Sequence, residues 1–309
     1  MTSKPPSKSL PASASETGGF RCGYVALVGR PNVGKSTLFN ALVGQRLSIV
    51  TPKPQTTRDR IVGILTRPDF QAVFLDTPGL LEVEDKLQEG MERQIESALR
   101  EADLVLLLLD ATRPRDRVQL VRQFLAANRV PLLAALNKID RLAPAQWSGL
   151  CAQLAGELGL PALHPLSAQR GDGLEELLAR LVAGLPCGPQ LYPEDMVAEQ
   201  PERFFVAELI REAAFDQLDE ELPYALSVTV DTFRQAAGKT YIAASIHVER
   251  DSQKGIVIGR GGTRLRAIGA AARPRIEELL DHPVYLDLWV KVRPDWRRRE
   301  RDLREFGYR

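Results

Sequence analysis

Short apolar runs alternate along the first half of the chain with stretches in which apolar positions recur every three or four residues. The runs are Tyr24–Val28, Ala72–Leu75, Leu104–Leu109 and Val130–Leu136, with a shorter one at Leu163–Leu166. They are rich in Val and Leu and apolar on both faces, as buried parallel strands are. Between them, segments such as Lys35–Leu42 and Leu87–Arg100 read as helices. Leu174–Leu185, which follows Gly171 and Gly173, reads the same way. This alternation predicts an α/β domain over residues 20–186, a mostly parallel sheet with helices on both faces.

The stretch PCGPQLYPED then breaks the rhythm, and residues 187–200 read as a linker. Beyond it come a helical stretch (Glu202–Leu218) and two alternating strands (Tyr224–Thr232 and Tyr241–Val248). Helical segments around glycines at 259–262 and a strand at Val284–Val292 follow. The order α-β-β-α-α-β predicts a second, α+β domain over residues 201–309. Residues 1–19, rich in Ser, Pro and Ala, read as a disordered tail.

Composition narrows the function classes. No apolar run approaches the roughly 20 residues of a spanning helix, and the N-terminus lacks the apolar core of a secretory signal. Cys22, Cys151 and Cys187 form no CxxC pair, and His164, His247 and His282 are scattered. Neither a disulfide framework nor a zinc site is expected, and a reducing, cytoplasmic setting is. The net charge of +1 hides an asymmetry. Residues 250–309 hold 15 Lys/Arg against 9 Asp/Glu, so the C-terminal part favours an anionic partner.

The chemistry is concentrated in four short segments. Gly29-Arg30-Pro31-Asn32-Val33-Gly34-Lys35-Ser36-Thr37 is a G-x-x-x-x-G-K-[ST] loop between a strand and a helix. Its glycines let backbone N–H groups curl round phosphates. Lys35 supplies a cation to them, and Ser36 a hydroxyl for Mg²⁺. Asn137-Lys138-Ile139-Asp140 follows a strand about 100 residues later. Guanine presents N1–H and a 2-amino group side by side, and Asp140 can accept both, whereas adenine would leave the carboxylate unpaired. Asn137 can bond the base edge and brace the loop, while the Lys138 stem lies over the base. Ser167-Ala168 follows the last short run, with the Ala168 N–H expected to meet guanine O6. Asp76-Thr77-Pro78-Gly79 can hold Mg²⁺ through Asp76 and reach a γ-phosphate through the Gly79 N–H. In Thr51–Arg60, Thr57 is the hydroxyl expected to close on the same ion, which makes two loops sensitive to the γ-phosphate.

In the second domain Gly259-Arg260-Gly261-Gly262 sits between helices with Lys254, Gly255, Arg264 and Arg266 nearby. A GxxG turn lets a nucleic-acid backbone approach closely. With the element order and the basic flank it predicts a type II KH domain that clamps about four unpaired nucleotides. Ile256, Ile258, Leu265 and Ile268 are the expected apolar floor. Trp289 and Trp296 are expected in the core or between the domains rather than as base stackers. Arg297, Arg298 and Arg299 touch phosphate or form a solvated helix start.

GRPNVGKST, QTTRD, DTPG, NKID and LSA, with the C-terminal half, resemble the Era-like family of translation-factor-related GTPases. The likeness runs over roughly residues 20–309. It implies binding of GTP and GDP with Mg²⁺, and slow turnover, because Leu80 stands where other GTPases carry a water-orienting glutamine. Relatives with Asn at position 32 seat a potassium ion beside the phosphates, so Asn32 either does so here or braces the loop; with Lys35, Thr57 and Gly79 it makes up the catalytic set. As partners it implies the single-stranded 3′ end of 16S rRNA and the 30S subunit, for a monomer that touches the membrane at most peripherally. Two readings remain open: a GTP-driven assembly switch, and an RNA chaperone in which GTP only reports occupancy. NKID argues against a metabolic phosphotransferase.

Overall fold

The computed structural model describes residues 19–51, 53, 56–219, 221–236 and 238–308. The tail expected at residues 1–19 lies outside them, Gly19 excepted. Six strands form the first sheet: β1 (Arg21–Gly29), β2 (Ile61–Arg67), β3 (Phe70–Asp76), β4 (Leu104–Asp110), β5 (Leu132–Asn137) and β6 (His164–Pro165). Their order is β2-β3-β1-β4-β5-β6, parallel except where β2 pairs antiparallel with β3. Helices α1 (Lys35–Val43), α2 (Lys86–Glu101), α3 (Val118–Ala127) and α4 (Pro144–Leu158) lie in the connections between them, and α5 (Leu174–Gly184) follows β6. Every residue of β4 is buried. Alternate strand residues feed two separate apolar clusters, one holding Leu27, Leu106 and Phe39, the other Val28, Leu107 and Val121. This is the two-faced burial that continuous Val/Leu runs dictate.

The sequence pattern does not reveal β2. Gly63 interrupts its apolar run, and a Cβ there would lie 2.5 Å from the Phe39 ring, so α1 packs on β2 only because that position is bare.

The second sheet is β7 (Ser227–Ala236), β8 (Lys239–Val248) and β9 (Val284–Val292), in that order, with β9 parallel to β8. Helices α6 (Glu202–Gln217), α7 (Asp251–Ile258) and α8 (Thr263–Leu280) cover one face, and α9 (Glu300–Glu305) follows β9. Ile210, Phe215, Ile246, Val257 and Ile276 form the core between sheet and helices. The segment expected as a linker is strapped to the first sheet. Ala198 bridges Gly63, the Ile64 N–H donates to Val197 O at 2.9 Å, and Gln71 Oε1 accepts from the N–H groups of Leu191 and Tyr192.

His247 on β8 is only 3% exposed. Its Nε2 lies 2.9 Å from Thr229 Oγ1, and its ring packs against Phe306. Burial, then the charges of Lys291 and Arg293, push its pKa down to about 4. The unfolded chain protonates the same imidazole near pH 6.5. Between these values the unfolded state holds the extra proton, so stability present above pH 6.5 is lost as pH falls toward 4. Comparing urea unfolding of His247→Gln with the parent at pH 7.5 and pH 4.5 should show about 3 kcal/mol less acid destabilisation in the variant. Equal acid losses in the two proteins would refute this.

Candidate functional site

The loop between β1 and α1 opens on a cavity of roughly 1010 Å³ lined by Arg30, Pro31, Asn32, Gly34, Lys35, Ser36 and Thr37. Gly34 holds a left-handed φ of 98°, and a Cβ there would stand 2.3 Å from Asn137 Nδ2. The turn therefore needs glycine on both counts. Lys35 is buried and donates to Gly29 O at 3.1 Å and Arg30 O at 3.0 Å. Burial lowers its pKa to about 8, against the pull of the Asp76 carboxylate. Val33 faces the core rather than the cavity, and its carbonyl accepts from Asn137 at 2.8 Å.

The three residues expected on a metal do come together. Asp76 Oδ2, at the buried end of β3, accepts from Ser36 Oγ at 2.8 Å and Thr57 Oγ1 at 3.4 Å, and the two hydroxyls are 3.0 Å apart. Ser48, which the sequence motifs do not mark, donates to the same oxygen at 2.7 Å. Asp76 Oδ1 is buried with no partner among the described residues. Burial pushes this carboxyl's pKa up, while Lys35 and the hydroxyls pull it back. An orphaned carboxylate oxygen beside two hydroxyls fits a hard divalent cation such as Mg²⁺, whose remaining ligands would come from phosphate oxygens and water. No cluster of three or more His, Cys, Asp or Glu side chains among the described residues offers an alternative metal site.

At the far end of the cavity Asn137 acts as a brace. Its Nδ2 holds Val33 O, and its Oδ1 accepts the Ala168 N–H at 2.9 Å. The Ala168 N–H expected to meet guanine O6 is thus directed at Asn137, because the two segments pack edge to edge where β5 meets β6. Lys138, held at a φ of 68°, spans the cavity wall, donating to Asn32 O and Asp110 Oδ2, both at 2.6 Å. Burial raises the Asp110 pKa, but hydrogen bonds from Lys138 and Thr112 outweigh it and hold the carboxyl below its ordinary value. Asp110 went unmarked in the sequence, although a carboxylate closing a buried strand is a signal for this edge of a parallel sheet. Asp140 faces the cavity, with Oδ1 accepting from Ser167 Oγ at 2.6 Å.

The DTPG segment divides. Gly79 lies against Pro31, whose backbone nitrogen would be 2.6 Å from an added Cβ. The Thr77 hydroxyl turns inward to Leu27 O at 2.7 Å, and buried Pro78 stays outside the cavity lining. The Leu80 N–H donates to Gly29 O at 3.0 Å while its side chain joins the core. Ile139 begins a short turn outside the lining. Thr77, Pro78, Leu80 and Ile139 therefore shape the site from behind rather than line it.

Both loops that flank the cavity dock on the second domain. Arg58 is buried: Nη1 donates to Leu226 O at 2.7 Å and Nη2 to Tyr224 O at 2.9 Å, and the guanidinium sits over the Trp296 and Tyr308 rings. Thr56 O accepts from Arg211 Nη2 of α6 at 2.5 Å. Leu81 packs with Leu87, Met91 and the fully buried Trp296. The role of Arg58 is invisible in sequence because every partner lies more than 160 positions away.

The glycine turn joins α7 to α8, with left-handed φ values at Gly259 (73°), Gly261 (60°) and Gly262 (78°). Arg260, Arg266, Gly255 and Gly261 are exposed, and Lys254, Ile258 and Arg264 half-buried. Arg264 Nη1 donates to Ile256 O at 3.2 Å. Ile268 is fully buried, so it belongs to the core and not to an open floor. Trp296 is fully buried as expected, but Trp289 is 59% exposed. Arg297 pairs with Glu249 at 2.9 Å and with Asp85 at 3.7 Å, while Arg298 and Arg299 are exposed.

Residues 24–138 match the family described as 50S ribosome-binding GTPases, and residues 221–297 match the KH domain family. GTPase Era of Geobacter metallireducens is 44% identical over 94% of this chain and 98% of its own length. GTPase Era of Pseudomonas entomophila is 44% identical over 95% and 99%. Among solved structures, Era in complex with MgGDPNP and nucleotides 1506–1542 of 16S ribosomal RNA superposes with a TM-score of 0.89. It is 41% identical, over 94% of this chain and 99% of the other. A variant of Aquifex aeolicus Era bound to GDP and aluminium fluoride reaches 0.90 at 39% identity, over the same shares.

Proposed function

Because the chain belongs to the Era family of GTPases, we propose that it is a GTP-hydrolysing switch whose KH half takes the unpaired 3′ end of 16S rRNA. In the GTP state it holds the maturing 30S subunit, and hydrolysis releases it. We place this work in the cytoplasm; no helix among the described residues is long and apolar enough to cross a membrane, and membrane contact would be peripheral. One observation carries the switch: the two loops beside the phosphate end of the cavity are the same loops that dock on the KH half, through Arg58 and Leu81.

In this reading Gly29–Thr37 wraps the phosphates, with Lys35 as their cation. Ser36, Thr57 and Asp76 would hold Mg²⁺, which when bound supplies positive charge to the phosphate oxygens. Asp140 selects guanine, Ser167 fixes its carboxylate, and Lys138 ties the base reader to the phosphate loop. Leu80 can neither orient water nor relay a proton, so turnover is slow. Asn32, exposed at the cavity mouth, would seat a potassium ion. The glycine turn and its basic flank, Lys254 to Arg266, take the RNA backbone.

The test is an RNA titration at fixed salt, with a 3′-end oligonucleotide and a scrambled control, in GDP and in a non-hydrolysable GTP analogue. A switch gives tighter, sequence-selective binding in the analogue state, by roughly five-fold or more. Arg58→Ala should collapse that ratio toward one while leaving the sequence preference intact. Equal binding of the parent in both states would sink the switch and favour the chaperone that senses occupancy.

A further inference from the structure

The face of the second sheet turned away from α6, α7 and α8 carries three large aromatics in solvent. Tyr241 is 38%, Tyr285 53% and Trp289 59% exposed. They are neighbours by register, because Tyr241 pairs with Tyr285 across β8 and β9, and Trp289 follows four residues along β9. The tyrosine rings stack at 5.7 Å with planes 15° apart, and Lys239 Nζ lies 5.4 Å over the Tyr285 ring. Exposed Arg234 pairs with Tyr241 from β7. Asp287 lies between the β9 rings and holds the indole by accepting from Trp289 Nε1 at 3.3 Å. The far end of the same face is closed by the chain after α9, where Phe306 covers His247 and Lys291 pairs with Asp231.

An aromatic patch rimmed by charged side chains marks an interaction site. Its chemistry narrows the choice. The register neighbours of the rings on this face are Ala243, Asp287 and the fully buried Ser245 rather than Leu, Ile or Val, so the face offers flat stacking surfaces without an aliphatic floor for a helix or an acyl chain. Two cations stand at its exposed end. Planar, sequence-tolerant ligands on a negative backbone fit both features. The patch and the glycine turn lie on opposite faces of the sheet but share one edge: α7 packs on β9, and β9 is an edge strand, bonded on one side only.

We propose that Tyr285, Tyr241 and Trp289 form a second subsite for single-stranded RNA, on which unpaired bases stack after the strand leaves the glycine turn and rounds the edge of β9. This rests on the RNA-binding reading above. Lys239 and Arg234 hold the phosphates of the stacked bases.

The experiment uses the full chain loaded with a GTP analogue and two probes cut from the 16S 3′ end, one of about five nucleotides that fills the groove alone and one of about twelve. Trp289→Ala and Tyr285→Ala should each raise the Kd of the long probe roughly five-fold or more, leave the short probe unchanged and spare Trp289→Phe. Gly261→Asp, in the glycine turn, should weaken both probes. A 5-bromouridine version of the long probe should photo-cross-link to Tyr241, Tyr285 or Trp289, a readout that requires no variant to fold. Unchanged long-probe affinity, equal loss of both probes, or adducts confined to residues 254–266 would overturn the subsite while leaving the groove standing. Loss of self-association in sedimentation, or of binding to phosphatidylglycerol vesicles, with RNA affinity unchanged would assign the face to a second copy or a lipid surface instead. Failure of the parent to bind either probe would remove the RNA reading and the subsite together.

Discussion

An Asp140→Asn variant binds GTP roughly 10³-fold or more weakly than the parent and binds XTP, which the parent rejects. The reason is a pattern of donors. The Asp140 carboxylate lines the cavity with one oxygen fixed by Ser167 at 2.6 Å. It can accept from two adjacent donors and can donate to nothing. Guanine supplies two donors. Xanthine keeps N1–H but carries a carbonyl at C2, which faces the carboxylate with like charge. An amide offers one acceptor and one donor, so it suits xanthine and leaves guanine's amino group opposed by an N–H. Competition between labelled GDP and the two triphosphates measures the exchange. A GTP affinity within ten-fold of the parent would place the base elsewhere in the cavity.

Lys35→Met lowers kcat/KM for GTP by about 10²–10³-fold, the scale of losing one preorganised charge at the developing phosphate charge. The fold should survive, because the ammonium serves only carbonyls of its own loop, Gly29 O and Arg30 O, and is buried there against the pull on its pKa. Removing the buried ammonium relieves its desolvation cost but leaves the buried Asp76 carboxylate and two loop carbonyls without it, so the variant should stay folded and melt somewhat earlier than the parent. Single-turnover hydrolysis and a thermal melt, taken together, decide it. Near-parental turnover would show that the lysine is a loop brace and that the backbone alone carries the phosphate chemistry.

The phosphate loop was readable because its chemistry is contiguous: nine residues, one turn, one helix start. The cluster of Ser36, Thr57 and Asp76 was readable because Asp76 closes a buried run and Ser36 follows the loop lysine. Ser48 was not, since nothing local distinguishes it from any serine before a Val/Ile pair, and only folding brings it to Asp76. Ala168 lines the cavity, and its N–H also bonds Asn137 Oδ1, 31 positions away, a contact that no local pattern shows. Trp289 is a different case. In VYLDLWVKV the even positions Val284, Leu286, Leu288, Val290 and Val292 face the core. The odd ones, Tyr285, Asp287, Trp289 and Lys291, fall on the outer face by parity alone. Weighing the residue type over the strand period put the indole on the wrong side. Ile268 failed the opposite way, because it was assigned by its proximity to the glycine turn when the helix face it occupies points to the core.

The strap over residues 186–200 has a bearing on solubility. β2 is the outermost strand of the first sheet, and a free edge of that kind is a template for strands of other molecules. Here the Ile64 N–H is bonded to Val197 O and the Val62 N–H to Gln200 Oε1 at 3.2 Å, with Ala198 bridging Gly63 between them. A connection that needs only to span two domains is laid along an edge where an exposed ladder would invite aggregation. A flexible Gly/Ser replacement there would bare that edge to strands of other molecules, and light scattering should show more association than in the parent.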